Sequence, residues 1–227
     1  MVNTILNLKK GWWSFALPGY RDHSTITTYS LFSYEDLPPI SVPGNANWQW
    51  LEAQHPHKKW SLASNGYPDG SRADLSNLHD LIAQAPFEIP EQFIKFIEIP
   101  SLHGRIRSCT ACLLELSDFL VHTSTPPNGL IIQFLVDQQG CLRWYLFADA
   151  LGNHCVLVSG ETFGLFYDLD EVPRNEIDLF REEIWLCAPS FSEFIYRFWL
   201  ENEIYFTLVQ DPQAVTSLQR DYLSHYR

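Results

Sequence analysis

Positive charge is in short supply. The 227-residue chain carries 15 lysines and arginines against 27 aspartates and glutamates, a formal net charge of −12. Binding to a phosphate backbone needs clustered basic side chains, so nucleic acid is not expected as a partner. No run of about 18 uncharged apolar residues occurs, which argues against a membrane-spanning helix. The N-terminus places Lys9 and Lys10 after a short apolar patch, the reverse of a secretory leader. A soluble, cytoplasmic protein with no membrane contact is the expectation.

Catalytic and metal-binding motifs are missing too. There is no G-x-S-x-G, P-loop, H-E-x-x-H or G-x-G-x-x-G. Cysteines number five, an odd count that does not suit a disulfide framework. Cys109-Thr110-Ala111-Cys112 has the spacing of half a zinc site, but no second C-x-x-C follows it. Cys141 and Cys155 stand inside apolar runs. All read as buried reduced thiols, with no disulfide, metal or cofactor expected. His55-Pro56-His57 sets two imidazoles together without a third ligand nearby and reads as a surface loop. A calcium loop starting at Asp168 fails, because Pro173 would occupy the sixth position, where glycine is needed.

What the chain does have is apolar mass. Hydrophobic residues make up 46% and charged residues 19%, enough for a sizeable core. At this length a fold buries roughly 70% of the surface of its unfolded chain, so cross-links are not required. Five of the eight tryptophans (Trp12, Trp13, Trp48, Trp50 and Trp60) fall in the first 70 residues, among helix-breaking prolines. Asn65 to Gly70 is a run of turn residues and marks an internal boundary. Residues 1–70 are therefore expected to pack, as a Trp/Pro-rich segment, on a core formed by residues 71–227, one structural unit in all.

Within that core the periodicity changes twice. Leu75, Leu78, Leu81, Ile82 and Ala85 recur at helical spacing after Ser71 and Asp74, which resemble a capping box, and Pro86 ends the run. Pro90 opens a short helix to Glu98 as its first residue. From Leu130 to Cys187 the chain turns β-branched and aromatic, with Gly-containing turns at Asp137–Gly140 and Leu151–Asn153, and a further strand expected over Phe163–Leu169. Ser24 to Phe32 also reads as a strand. Ser190 with Glu193 then caps a helix to about residue 206, and Asp211-Pro212 opens a last one to about 225. The pattern predicts an α+β fold, an antiparallel β-meander sheet flanked by N- and C-terminal helices.

Two clusters stand out by charge and aromaticity. Trp48, Trp50, Lys58, Lys59 and Trp60 form an aromatic–basic patch able in principle to stack bases or sugars, and core packing of the tryptophans is the preferred reading. Glu161 to Glu183 holds eight carboxylates against Arg174 and Arg181. Asp168, Asp170, Glu171, Glu176 and Asp178 are the candidate partner-binding residues, since such density needs either a partner or a solvated loop.

Three segments in order carry a family resemblance. Ile89-Pro90-Glu91-Gln92-Phe93-Ile94-Lys95-Phe96-Ile97 is similar to an N-terminal Leu-Pro-x-x-Phe-x-x-Phe-Leu element of the SUKH superfamily. Val136-Asp137-Gln138-Gln139-Gly140-Cys141-Leu142 resembles its hairpin, and Ile184 to Ile195, with Ala188-Pro189-Ser190-Phe191-Ser192-Glu193-Phe194, resembles its C-terminal strand-to-helix signature. The match spans roughly residues 75–210, leaves residues 1–70 without a counterpart, and lacks the family's Asn-Gly after the first element, where Ile99-Pro100-Ser101-Leu102-His103-Gly104 stands. The resemblance implies an α+β fold without catalytic residues or cofactor, and a protein partner. Many members are immunity proteins that neutralise toxins, often basic nucleases, and others are regulatory adaptors. An immunity protein is the first expectation and an adaptor the second. A hydrolase with Cys109 or Cys112 as nucleophile and His103 or His122 as base is the third.

Overall fold

The structure is a computed structural model that describes residues 8–22, 28–44, 47–64, 75–118, 120–123, 129–160 and 183–226. In chain order its elements are β1 (Lys9–Ser14), β2 (Ser30–Ser33), α1 (Gln49–Glu52), α2 (Leu78–Gln84), α3 (Glu91–Glu98), α4 (Pro100–His103), β3 (Leu113–Leu114), β4 (Val121–Thr123), β5 (Gly129–Val136), β6 (Arg143–Asp149), β7 (His154–Ser159), β8 (Ile184–Ala188), α5 (Phe191–Gln210) and α6 (Ser217–Leu223). The α+β class and the antiparallel meander are as the sequence pattern predicts. β5 to β8 pair in succession, each antiparallel to the next.

The turns of the meander are set by side chains. Between β5 and β6, Asp137 accepts the Leu142 N–H at 3.0 Å, and Gly140 adopts φ +70°. Between β6 and β7, one Asp149 oxygen accepts the N–H groups of Leu151 and Asn153, both at 2.9 Å, while Gly152 takes φ +77°. Both aspartates thus satisfy backbone donors that a tight turn leaves unpaired.

The sheet extends beyond the meander in a way the pattern did not foretell. Its order is β2-β1-β8-β7-β6-β5-β3, with β4 also on β5. β1 lies parallel to β8, pairing Lys9 with Trp185 and Lys10 with Leu186, and β2 adds to β1 as an antiparallel edge. The first 33 residues therefore contribute two strands to the same sheet as the C-terminal half.

One face of the sheet carries the main core. Alternate residues Leu130, Ile132, Trp144, Leu146, Val156 and Val158 meet the helices there. α5 crosses this face and is buried nearly all round, so that Arg197, Glu201 and Asn202 are enclosed along with its aromatic and aliphatic residues. Phe194 of α5 lies 5.5 Å from Phe134 and 6.2 Å from Trp144. The opposite face holds a second apolar cluster, including Ile131, Tyr145, Phe147, Leu157 and Ile184. β5 is accordingly buried along its whole length.

Several boundaries differ from the sequence expectation. The strand expected over Ser24–Phe32 is found over Ser30–Ser33, with Thr28 and Tyr29 outside it; residues 23–27 lie outside the described residues. The first expected helix begins only at Leu78, after a turn at Ser76 and Asn77, so Leu75 precedes it; the proposed cap at Ser71 and Asp74 lies outside the described residues. Pro90 is the N-cap of α3 and not its first residue, because its ψ of 126° is extended. α5 runs on to Gln210, since Tyr205, Phe206 and Leu208 continue its packing. The last expected helix is broken. Asp211 caps only the 3-10 turn Pro212–Ala214, and Thr216 with Gln219 forms a full capping box that starts α6. The expected strand over Phe163–Leu169 lies outside the described residues.

Candidate functional site

Among the described residues a dense polar constellation lies in the interior. Glu201, in the middle of α5, is fully buried, yet it is a carboxylate with a complete set of donors. Arg21 reaches it with both terminal nitrogens, Nη1 to Oε1 at 2.6 Å and Nη2 to Oε2 at 2.9 Å. Trp12 Nε1 donates to Oε2 at 2.8 Å, Ser14 Oγ to the same oxygen at 2.5 Å, and Tyr222 OH to Oε1 at 2.6 Å. Arg21 also donates to Ser14 Oγ and the Phe15 carbonyl, both at 3.0 Å, and its guanidinium lies 4.3 Å from the Phe32 ring centre. Arg197 adds bonds to Tyr222 OH and the Pro38 carbonyl, both at 3.0 Å.

The contributors come from four separate parts of the chain. β1 supplies Trp12 and Ser14, the turn after β1 supplies Arg21, α5 supplies Glu201 and Arg197, and α6 supplies Tyr222. Burial by itself would raise the Glu201 pKa, but the charge and hydrogen bonds of Arg21, with Ser14 and Tyr222, hold it down to about 2. Burial raises the Tyr222 phenol, and the Glu201 charge beside it raises it further. Every oxygen lone pair facing the interior is spoken for, and neither partner reaches solvent. The arrangement joins elements; it offers no free acid or base.

Three of the four cysteine and histidine candidates, Cys109, Cys112 and His103, are partly or fully enclosed. Burial pushes the Cys112 thiol up, and its sulfur lies 3.6 Å from Tyr29 OH and 3.4 Å from Thr110 Oγ1. Burial raises Cys109 well above the usual thiol range. A cysteine nucleophile needs the opposite, a thiolate near neutral pH. His103 is buried, its Nε2 lies 2.7 Å from the Phe96 carbonyl, and burial lowers its pKa. His122 lies exposed on β4. All five cysteines are unpaired, but they are not all the buried thiols expected: Cys141 stands exposed in the β5–β6 turn and Cys109 is only partly buried. Among the described residues no group of three or more His, Cys, Asp or Glu side chains is placed to hold a metal ion.

The surface features are fewer. His57 faces Glu203 at 3.4 Å, and Arg107 grips the same carboxylate at 2.9 and 2.5 Å. An open cleft of about 720 Å³ is bordered by Leu62, Leu75, Leu78, Ile97 and His103, with the exposed His79 and Glu98 side chains 3.9 Å apart at its rim. The aromatic–basic patch is divided. Trp48 and Trp50 pack inward, Trp48 5.3 Å from Phe96 and Trp50 5.1 Å from Trp199, whereas Trp60 is exposed beside Lys58 and Lys59.

Asp168, Asp170, Glu171, Glu176 and Asp178, the partner-binding candidates read from charge density, lie outside the described residues. The buried cluster around Glu201 escaped the sequence reading because a helical glutamate is ordinarily solvent-facing. The available signal was the aromatic and aliphatic setting of Phe198, Trp199, Leu200, Ile204 and Tyr205, with Arg197 one helical turn before Glu201. No helix among the described residues is long and apolar enough to cross a membrane. The chain matches no protein-family model, no curated protein and no solved structure.

Proposed function

We propose that the chain is a non-catalytic, cytoplasmic protein-binding module of SUKH type, an immunity protein that binds and occludes a toxin. One observation carries the reading. The segments that resemble the family stand at a helix start, a tight hairpin and a strand-to-helix joint, and the aromatics of the first and third pack on each other. Phe191 lies 5.1 Å from Phe93 and 5.5 Å from Phe96, with Phe134 of the strand entering the hairpin 5.2 Å away. The absorption of Cys109, Cys112 and Glu201 into the interior supports a role without bond chemistry. The acidic run of residues 161–183 supports a basic partner, which its field would attract and steer.

Protection tests this reading. Partners captured by the tagged full chain are expressed in a host with and without it. The proposal expects a captured partner that is toxic alone and harmless in its presence, with association slowed when Asp168, Asp170, Glu171, Glu176 and Asp178 are neutralised to Asn or Gln. A harmless partner whose activity the chain merely modulates would replace immunity with the adaptor role.

A further inference from the structure

Trp60 departs from two regularities at once. It is a large apolar side chain with 54% of its surface exposed, and its backbone sits at φ +63°. Bulky residues avoid that region, which glycine, asparagine or aspartate would occupy at far less cost. The conformation is imposed from both sides. His57 N–H donates to the Gly104 carbonyl at 2.7 Å, Ser108 N–H to the Trp60 carbonyl at 2.7 Å, and Leu62 N–H to the Ile106 carbonyl at 2.9 Å. Arg105 holds the Gln54 carbonyl, and His57 is paired with Glu203. The loop is clamped to residues 104–108, so Trp60 is held out on a fixed support. A strained residue retained by an over-determined backbone points toward a functional demand.

The charge around it narrows the occupant. Lys58 and Lys59 are exposed, and neither has an ion pair among the described residues. The adjacent carboxylate of Glu203 is already taken by His57 and Arg107. We propose that Trp60 with Lys58 and Lys59 is a docking point for an acidic, apolar-containing segment of a partner protein. The indole covers an apolar side chain, and the two ammonium groups meet flanking carboxylates. Tryptophan is among the side chains that most often anchor protein contacts, and charges at the rim of such a contact act by complementarity. A nucleic acid is disfavoured as occupant because two lysines fall short of the extended basic surface that a phosphate backbone requires, whereas they suffice for a short acidic stretch beside an apolar side chain. This surface is separate from the acidic run, and it stands whether or not the partner is a toxin.

The test uses the full chain and a fluorescein-labelled peptide of repeated Glu-Glu-Leu, followed by anisotropy at low salt, with labelled oligothymidylate in parallel. The proposal expects saturable peptide binding that weakens about tenfold or more in Trp60→Ala and in Lys58→Ala with Lys59→Ala. Leu151→Ala, at another exposed apolar position, leaves binding unchanged. Trp60→Gly loses binding but unfolds at the same or a higher temperature, because glycine adopts φ +63° without strain. Absent peptide binding, equal binding by all variants, or oligothymidylate binding that depends on Trp60 would each overturn the proposal. So would a clear fall in unfolding temperature for both Trp60→Gly and Trp60→Ala, which would make Trp60 a packing residue.

Discussion

Arg21 and Glu201, 180 positions apart in the chain, meet as a two-pronged ion pair with side chains 4% and 1% exposed. The contact fastens the turn after β1 to the long helix α5, and Tyr222 extends it to α6. Removing one partner leaves the other charged, buried and unpaired, at a cost of about 3–5 kcal/mol. Glu201→Gln and Arg21→Met are each expected to lower unfolding stability by that order in urea titrations. Combined, they should cost less than their sum, because the stranded charge is then gone. The combination still falls short of the parent protein, since Trp12, Ser14 and Tyr222 lose a charged acceptor. Strict additivity would mean that the two residues do not interact.

Acid provides a second handle on the same pair. The folded pKa of Glu201, about 2, lies below its ordinary value of 4.5. A group with a depressed folded pKa contributes stability above its unfolded pKa and loses that contribution as pH falls toward the folded one. Stability should therefore decline as pH drops from about 4.5 toward 2, and the slope attributable to this residue should vanish in Glu201→Gln. Denaturant midpoints measured across that range check it. An unchanged slope in the variant would place Glu201 outside the transition.

Thiol reactivity separates exposed from enclosed cysteines. Cys141 lies exposed in the β5–β6 hairpin, whereas Cys112, Cys155 and Cys187 are buried. Burial, with Asp149 nearby, pushes the Cys155 thiol up to about 12. Titration of the native protein with a chromogenic disulfide at neutral pH should show one fast thiol, lost in Cys141→Ser, with the others released on unfolding. A fast-reacting Cys109 or Cys112 would instead revive the hydrolase reading.

The parts of the fold that were readable from sequence are those whose signal is local. β5 to β7 announce themselves through β-branched and aromatic runs between Asp- and Gly-containing turns, and α5 through Ser190, whose Oγ accepts the Glu193 N–H at 3.2 Å. Even there only half of the capping box forms, because Glu193 accepts a hydrogen bond from Tyr34 OH. β1 was not readable. Its residues, Lys9 to Ser14, mix charged and aromatic side chains without clean alternation, and its pairing with β8 is decided by contacts about 176 positions away in the register of Lys9 with Trp185. Composition likewise could not sort Trp48 and Trp50 from Trp60. What separates them is a backbone clamp supplied by residues 104–108.

Stoichiometry tests the claim that this chain works by binding most directly. With the partner captured by the full chain, its toxic activity is followed while the chain is added in increments. Occlusion predicts a linear loss of activity that reaches its end point at one copy per partner, with both proteins recovered intact from the complex. Complete neutralisation at a small fraction of one equivalent, or a covalently altered partner, would show turnover and contradict the account.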